Sequence, residues 1–388
     1  MASQSAALAM VKRSRKLKIG NHKLKILSVF GTRPEAVKMA PIVRLLAQTA
    51  GVESRVCVTA QHRQMLDQVL NLFDIKPEYD LNLMRDDQSL AQLSAAIFTH
   101  LDPVFSDFKP DWVLAQGDTT TVAITSLLSY FNRIKFGHVE AGLRTHDKWQ
   151  PFPEEINRRV AGVTADLHFA PTEWSKQNLL REGIDERIIK VTGNTVIDAL
   201  QFVSKQPEPQ EIVELVAAKL KTKKLILVTA HRRENFGKPI EDICHALTEL
   251  AERGDVEIIY PVHLNPNVQE PVNRLLKGVD NISLLPPLDY LPLVHLMKHA
   301  TLILTDSGGI QEEAPAFGIP TLVLRDVTER PEGVAAGTLK LVGTETSHIV
   351  KEAKRLLDDE SAYSKMAKAG NPYGNGHAAE KIIQSLLL

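Results

Sequence analysis

From Leu24 onward, short Val/Ile/Leu-rich runs alternate with longer stretches of helical periodicity, the pattern of repeated βαβ units around a parallel sheet. In the first half the runs predict strands at Leu24–Phe30, Ser54–Thr59, Trp112–Ala115, Lys135–Val139, Leu167–Ala170 and Ile188–Val191, with helices from Glu35, Arg63, Ser89, Thr119, Glu154 and Glu173. A polar, proline-bearing stretch around Lys205-Gln206-Pro207-Glu208-Pro209 breaks the alternation, which predicts a linker between about Val191 and Pro209. The pattern restarts at Leu225–Thr229 and continues through Val256–Tyr260, Ile282–Leu284, Leu302–Thr305, Thr321–Leu324 and Lys340–Val342. We therefore expect an α/β chain with one domain over residues 24–195 and a second over 196–372. The last segment, 373–388, is helical and apolar enough to pack back on the first domain.

Length supports this division, since 388 residues exceed one compact core and suit two. Lys plus Arg (46) balance Asp plus Glu (47), so no global field argues for nucleic acid or a membrane surface, and the expected ligand is small. Cys57 and Cys244 lack metal-ligand spacing and suggest no stapled framework, which fits a reducing cytoplasm and no bound metal. Ala6–Met10 is too short for a secretory apolar region. Residues 1–23 carry Lys12, Arg13, Arg15, Lys16, Lys18 and Lys23 without an acid, and read as a loose basic tail outside the fold.

Chemistry concentrates where the predicted strands end. Asp118 follows the run Trp112–Gln116, Glu140 closes Lys135–Val139, and Glu154 opens a helix after a Pro-Phe-Pro turn. In an open parallel sheet such positions line one crevice, although a lone acid there is ordinarily a helix cap or a solvated loop residue. The first strand runs into Gly31-Thr32-Arg33-Pro34-Glu35, with Lys38 a turn further on, which reads as an anion site at a helix N-terminus. It lacks the Gly-x-Gly-x-x-Gly of dinucleotide folds, which argues against a bound nicotinamide and for no cofactor. In the second half Ser307, Gly308 and Gly309 repeat the strand–glycine–helix logic and suit a diphosphate, with Glu313 placed to accept from ribose hydroxyls. His231, in Thr229-Ala230-His231-Arg232-Arg233, ends the first strand of the second half as Arg33 follows that of the first; a histidine there can donate to phosphate or carry a proton near neutral pH. His263 ends the next strand and Arg330 lies in a turn-rich segment. Acids and an Arg/Lys pair on one side, with a His and a Ser-Gly-Gly turn on the other, describe a nucleotide-sugar enzyme. The architecture expected is two Rossmann-like domains facing a central cleft, of glycosyltransferase-B type.

The segments FGTRPEAVKMAP, TAQHRQML, QGDTTTV, GHVEAGLRT, PFPEEINRR, GNTVIDA, AHRRENFG, SGGIQEEAP and TERPEG occur in an order that resembles the non-hydrolysing UDP-N-acetylglucosamine 2-epimerases. The resemblance implies reversible conversion of UDP-N-acetylglucosamine to UDP-N-acetylmannosamine in a cytoplasmic homodimer that supplies polysaccharide precursors. It implies that Arg33, Lys38, His231, Ser307, Gly308, Gly309, Glu313 and Arg330 hold UDP or its sugar, and that Asp118, Glu140 and Glu154 are the catalytic carboxylates. It further implies a second UDP-N-acetylglucosamine bound as an activator at Gln61, Gln64, Arg85 and His263. One departure stands out: where relatives often place an aromatic against uracil this chain has Leu293, which predicts weaker UDP affinity. Hydrolysing relatives typically lack the Arg33-Pro34-Glu35 stretch, so its presence favours the non-hydrolysing branch. Rival readings are a hydrolysing epimerase, a glycosyltransferase of the same architecture, and a UDP-sugar sensor without turnover. Three acids in one cleft should raise at least one pKa, with Asp118 and Glu154 as the acid/base pair and Glu140 orienting or tuning them.

Overall fold

A computed structural model of the chain describes residues 23–59, 63–85 and 87–388, with the side chains of Arg63 and Gln64 left out. The predicted basic tail, Lys23 apart, lies outside the described residues. The first lobe runs β1 (Leu24–Phe30), α1 (Arg33–Ala47), β2 (Val52–Val58), α2 (Arg63–Leu72), β3 (Tyr79–Asp80), α3 (Leu90–Phe108), β4 (Trp112–Gln116), α4 (Thr120–Phe131), β5 (Lys135–Val139), α5 (Glu154–Thr164), β6 (Leu167–Ala170), α6 (Glu173–Arg181) and β7 (Ile189–Val191). Two helices follow, α7 (Thr195–Val203) and α8 (Gln210–Lys219). The second lobe runs β8 (Lys224–Thr229), α9 (Lys238–Ala251), β9 (Val256–Pro261), α10 (Pro266–Leu276), β10 (Ile282–Leu285), α11 (Tyr290–His299), β11 (Ala300–Thr305), α12 (Gly308–Glu313), β12 (Thr321–Val323), α13 (Pro331–Ala336) and β13 (Leu339–Leu341). The chain closes with α14 (Thr346–Asp358), α15 (Glu360–Ala367) and α16 (Ala378–Leu386).

The strands form two sheets, ordered β3-β2-β1-β4-β5-β6-β7 and β10-β9-β8-β11-β12-β13. Every pairing between named strands is parallel. Helices cover both faces of each sheet, which is why strands such as Trp112–Gln116 are buried throughout and read as apolar runs rather than alternating ones.

The predicted linker instead carries a helix, α7. Asn194 caps α7 through its side chain on the Val196 N–H, and Val196, Ile197, Leu200 and Val203 are buried in a core that also takes Val37 and Val43 of α1. That core continues to Leu225, Val294 and Ile303, so it joins the lobes. The final helix packs on α1 and α7, burying Ile382, Ile383 and Leu386 in the same core. Asp198 of α7 accepts the Ala378 and Ala379 N–H groups at 3.2 and 2.9 Å and thereby caps α16 from outside it. Two short features escaped the pattern: β3 has only two residues, and α8 sits where proline and charge masked its apolar face. No helix among the described residues is long and apolar enough to cross a membrane.

Candidate active site

Strand order reverses beside the first strand of each sheet, between β1 and β4 in one lobe and between β8 and β11 in the other. Loops leaving the carboxyl ends on either side of such a point diverge and open a crevice. The four loops concerned carry Arg33, Asp118, His231 and Ser307. Glu140 follows the neighbouring strand β5, and Glu154 begins α5.

The first helix end, read from sequence as an anion site, is capped by the chain itself. Thr32 is the N-cap and Glu35 completes a capping box: one Glu35 oxygen accepts the Gly31 and Thr32 N–H groups at 3.0 and 2.7 Å, and the other accepts the Thr119 hydroxyl at 2.6 Å. Backbone donors that might have met a phosphate therefore meet the chain's own carboxylate. Arg33 remains half-buried beside this turn. Lys38, read as a further anion donor, is buried with its Nζ 2.6 Å from Glu140 and 3.1 Å from Glu312 of α12.

The three acids separate into two settings. Gly117 takes φ +85° to turn the chain after β4, and its carbonyl accepts from His138 Nε2 at 2.7 Å, so the loop bearing Asp118 is held from beneath. Burial depresses the His138 pKa to about 4, which keeps that ring neutral. Asp118 accepts from Arg158 Nη2 at 2.6 Å, and Arg158 is itself braced by Glu155 at 3.3 Å. Glu154 stands one residue before Glu155 at the start of α5. Burial, reinforced by the charge of Asp118, raises its pKa; Arg158 and the second lobe's Arg232 pull the other way. Its Oε2 is buried without a protein partner. Asp118 and Glu154 are thus one electrostatic unit that faces the second lobe.

Glu140 belongs elsewhere. Its Oε2 receives Gln116 Nε2 at 2.7 Å as well as Lys38, and its backbone takes φ +63°, an uncommon left-handed setting for a glutamate. Burial raises its pKa, Lys38 opposes that, and Glu312 reinforces it. The crowding expected of all three acids is therefore observed for two of them, because Lys38 draws Glu140 into a separate pairing.

In the second lobe Asp306, fully buried, accepts the His231 and Arg232 N–H groups at 2.8 Å each and Asn235 Nδ2 at 3.0 Å, which shapes the loop after β8. The His231 ring lies parallel to that of His263, with 5.3 Å between centroids and 13° between planes. Burial lowers the His231 pKa; Asp306 works against this, and His263 and Arg232 add to it. The ring is therefore a neutral donor or acceptor near pH 7 rather than a charged one, which narrows the role read from sequence. No side-chain hydrogen bond caps α12 at Ser307, so this helix end, unlike the first, is not closed by the chain itself. Gly308 lets the Arg330 guanidinium approach closely, since a Cβ there would stand 2.7 Å from its central carbon and would have to displace it. Arg330 donates through Nε to Glu312 at 2.9 Å and through Nη1 to Glu329 at 3.2 Å. Glu313, buried, accepts the Tyr290 hydroxyl at 2.8 Å, and burial pushes its pKa up to about 7 against that bond and the nearby charge of Arg33.

A profile of the UDP-N-acetylglucosamine 2-epimerase family matches residues 44–387. The chain belongs to that family. It is 58% identical over 369 residues to the UDP-N-acetylglucosamine 2-epimerase of Yersinia pestis, covering 94% of this chain and 98% of the relative. It superposes with a TM-score of 0.88 and 50% identity on the Neisseria meningitidis UDP-GlcNAc 2-epimerase crystallised with UDP-GlcNAc, over 94% of this chain and 99% of that one. The Methanocaldococcus jannaschii UDP-GlcNAc 2-epimerase, solved in complex with UDP-GlcNAc and UDP, matches at 34% identity and TM-score 0.78, over 94% and 99% of the two chains. The two parallel-sheet lobes are those of the epimerase structures.

Within this epimerase the residues of the expected activator site fall unevenly. Gln61 and the side chain of Gln64 lie outside the described residues. Arg85 is exposed on the wall of a cavity of about 590 Å³ with Asn82, Asp87, Gln92 and His100, and His263 is exposed where β9 ends. Leu293, half-buried on α11, packs against the shared core. Sequence reasoning passed over Arg158, Asp306, Glu312 and Tyr290. Only Arg158 carried a local signal, four residues after Glu154 and so on the same helical face. The partners of the others come from distant parts of the chain.

Proposed function

We propose that this epimerase interconverts UDP-N-acetylglucosamine and UDP-N-acetylmannosamine without hydrolysis, by eliminating and re-adding UDP. Carbon 2 of the sugar has no adjacent carbonyl, so its proton becomes removable only as the bond from carbon 1 to the diphosphate stretches. A carboxylate takes the proton from carbon 2, the C–H electron pair forms the carbon 1–carbon 2 double bond, and the C–O pair leaves with UDP. Return of a proton to the opposite face of carbon 2, with attack of UDP oxygen on carbon 1, gives the epimer. Two acid/base groups in different protonation states are needed.

The observation that carries this reading is the Asp118–Glu154 unit. Asp118 lies against Arg158 at 2.6 Å, while burial and the charge of Asp118 favour a proton on Glu154. We assign them as the acid/base pair. Charge gathering on departing UDP would be met by Arg33, His231 and the Ser307-Gly308-Gly309 helix end, with Glu313 on the ribose. Glu140 orients and tunes through Lys38 rather than through the other two acids. A second UDP-N-acetylglucosamine bound by Gln61, Gln64, Arg85 and His263 would touch catalysis through the His263–His231 stack, and the enzyme would act as a cytoplasmic homodimer.

Incubation with UDP-N-acetylglucosamine alone in deuterated water tests the reading. Epimer carrying deuterium at carbon 2 is expected. Free N-acetylmannosamine would mean a hydrolase, and unchanged substrate would leave a transferase or a sensor. Asp118→Asn should abolish deuterium uptake while UDP still binds; exchange at the wild-type rate would remove Asp118 from this role.

A further inference from the structure

The proposed chemistry leaves one fully buried carboxylate of the second lobe without a task. Glu312 places one oxygen 2.9 Å from Arg330 Nε and the other 3.1 Å from Lys38 Nζ. The Lys38 contact crosses the cleft, because Lys38 stands on α1 and Glu312 on α12. Lys38 in turn holds Glu140 at 2.6 Å. Glu140, Lys38, Glu312 and Arg330 thus alternate in sign along a buried path that starts on the carboxyl end of one sheet and ends in the loop before α13 of the other.

Burying a carboxylate is unfavourable unless cations accompany it. Glu312 has two, and although burial works to raise its pKa, Lys38 and Arg330 outweigh it and keep the group ionised. A single ammonium shared by two carboxylates brings one positive charge to two negative ones. Whatever pulls Lys38 toward Glu312 weakens its hold on Glu140.

We propose that Glu312 is a positioning residue for the epimerisation: reaching across the cleft, it fixes where Lys38 stands against Glu140 and how much of the ammonium charge Glu140 feels. The inference deepens the function proposed above and rests on it. With Glu312 on the same ammonium, Glu140 keeps more affinity for a proton than Lys38 alone would leave it. The second lobe thereby bears on the protonation of Glu140 through one side chain outside the proposed acid/base pair. The charged groups facing Glu140 are Lys38 from α1, Glu312 from α12 and Arg330 from the loop before α13, with Gln116 of β4 as a neutral donor.

The test is the pH dependence of kcat for full-length Glu312→Gln and Glu312→Asp beside the wild type, read as epimer formation from UDP-N-acetylglucosamine in deuterated and ordinary buffers. Removing the charge gives Lys38 wholly to Glu140, so one limb of the profile should move to lower pH by about one unit, about tenfold in rate on that limb. Glu312→Asp keeps the charge but shortens the reach, and should shift the same limb in the same direction by less; it also serves if Glu312→Gln does not fold. Rates lowered equally at every pH, with both limbs in place, would make Glu312 a structural ion pair and overturn the inference. Wild-type enzyme that fails to exchange deuterium at carbon 2 would instead overturn the proposed function, and this inference with it.

Discussion

Glu313 offers a quantitative check on the electrostatics of the second lobe. Its carboxyl is buried, accepts the Tyr290 hydroxyl at 2.8 Å, and lies beside the ionised Glu312. Burial is the largest influence; with the charge of Glu312 it overrides the Tyr290 bond and the cations Lys38 and Arg33, and carries the pKa from 4.5 to about 7. Between those values the folded protein holds a proton that the unfolded chain has released, so stability falls as pH rises through that window. Each unit of separation is worth about 1.4 kcal/mol, which bounds the effect at about 3 kcal/mol. Glu313→Gln keeps the shape and cannot ionise. Its stability relative to wild type should therefore improve by up to about 3 kcal/mol between pH 4.5 and 8. Urea denaturation should be followed by far-UV circular dichroism, because Trp112, Trp149 and Trp174 all lie in the first lobe and their fluorescence would miss the second. A difference between the two proteins that does not change with pH would show Glu313 ionised throughout and refute the reasoning.

Three further outcomes are expected. Arg158→Met removes the 2.6 Å pairing that orients Asp118 and should slow deuterium uptake at carbon 2 by about a hundredfold, with UDP affinity in calorimetry unchanged; a normal rate would show that Asp118 needs no such support. Asp198→Ala uncaps α16 and should cost about 1 kcal/mol, whereas Ile382→Ala empties a fully buried site and should cost about 2–5 kcal/mol, both read from urea midpoints; equal effects would mean that the helix is not held by its apolar face. Leu293→Phe should tighten UDP binding by about two- to tenfold in calorimetry if an aromatic face is what this position lacks. An unchanged constant would place the base elsewhere.

The architecture was legible because it depends on periodicity. Apolar runs such as Leu225–Thr229 and Val256–Tyr260 are buried strands, and their alternation with helices leaves little choice but parallel sheets. The region between the lobes was not legible, because α7 and α8 derive their stability from α1, α11 and α16 rather than from their own patterns. A proline-bearing stretch reads as a linker whether or not a helix on either side finds a partner. Much the same limit applies to the site. Asp118, Glu140 and Glu154 were found by their address at strand ends and helix starts, but their partners Arg158, Lys38 and Gln116 depend on contacts that sequence separation conceals.

The sharpest divergence lies between two turns that look alike on paper. Gly31-Thr32-Arg33-Pro34-Glu35 and Ser307-Gly308-Gly309 both join a strand to a helix, and both invite an anion. A glutamate three residues after a threonine cap bends back and closes the first, whereas two glycines after Ser307 supply no side chain able to close the second. The first helix end is already neutralised, so an added diphosphate there would meet a carboxylate. On the function proposed above, phosphate binding would fall to the second lobe, with Arg33 reaching over from the first. That division would suit the proposed elimination of UDP, with the leaving group's charge gathering on one wall and the proton handled on the other. Lys38, between Glu140 of one wall and Glu312 of the other, is the buried ion pair that joins the two.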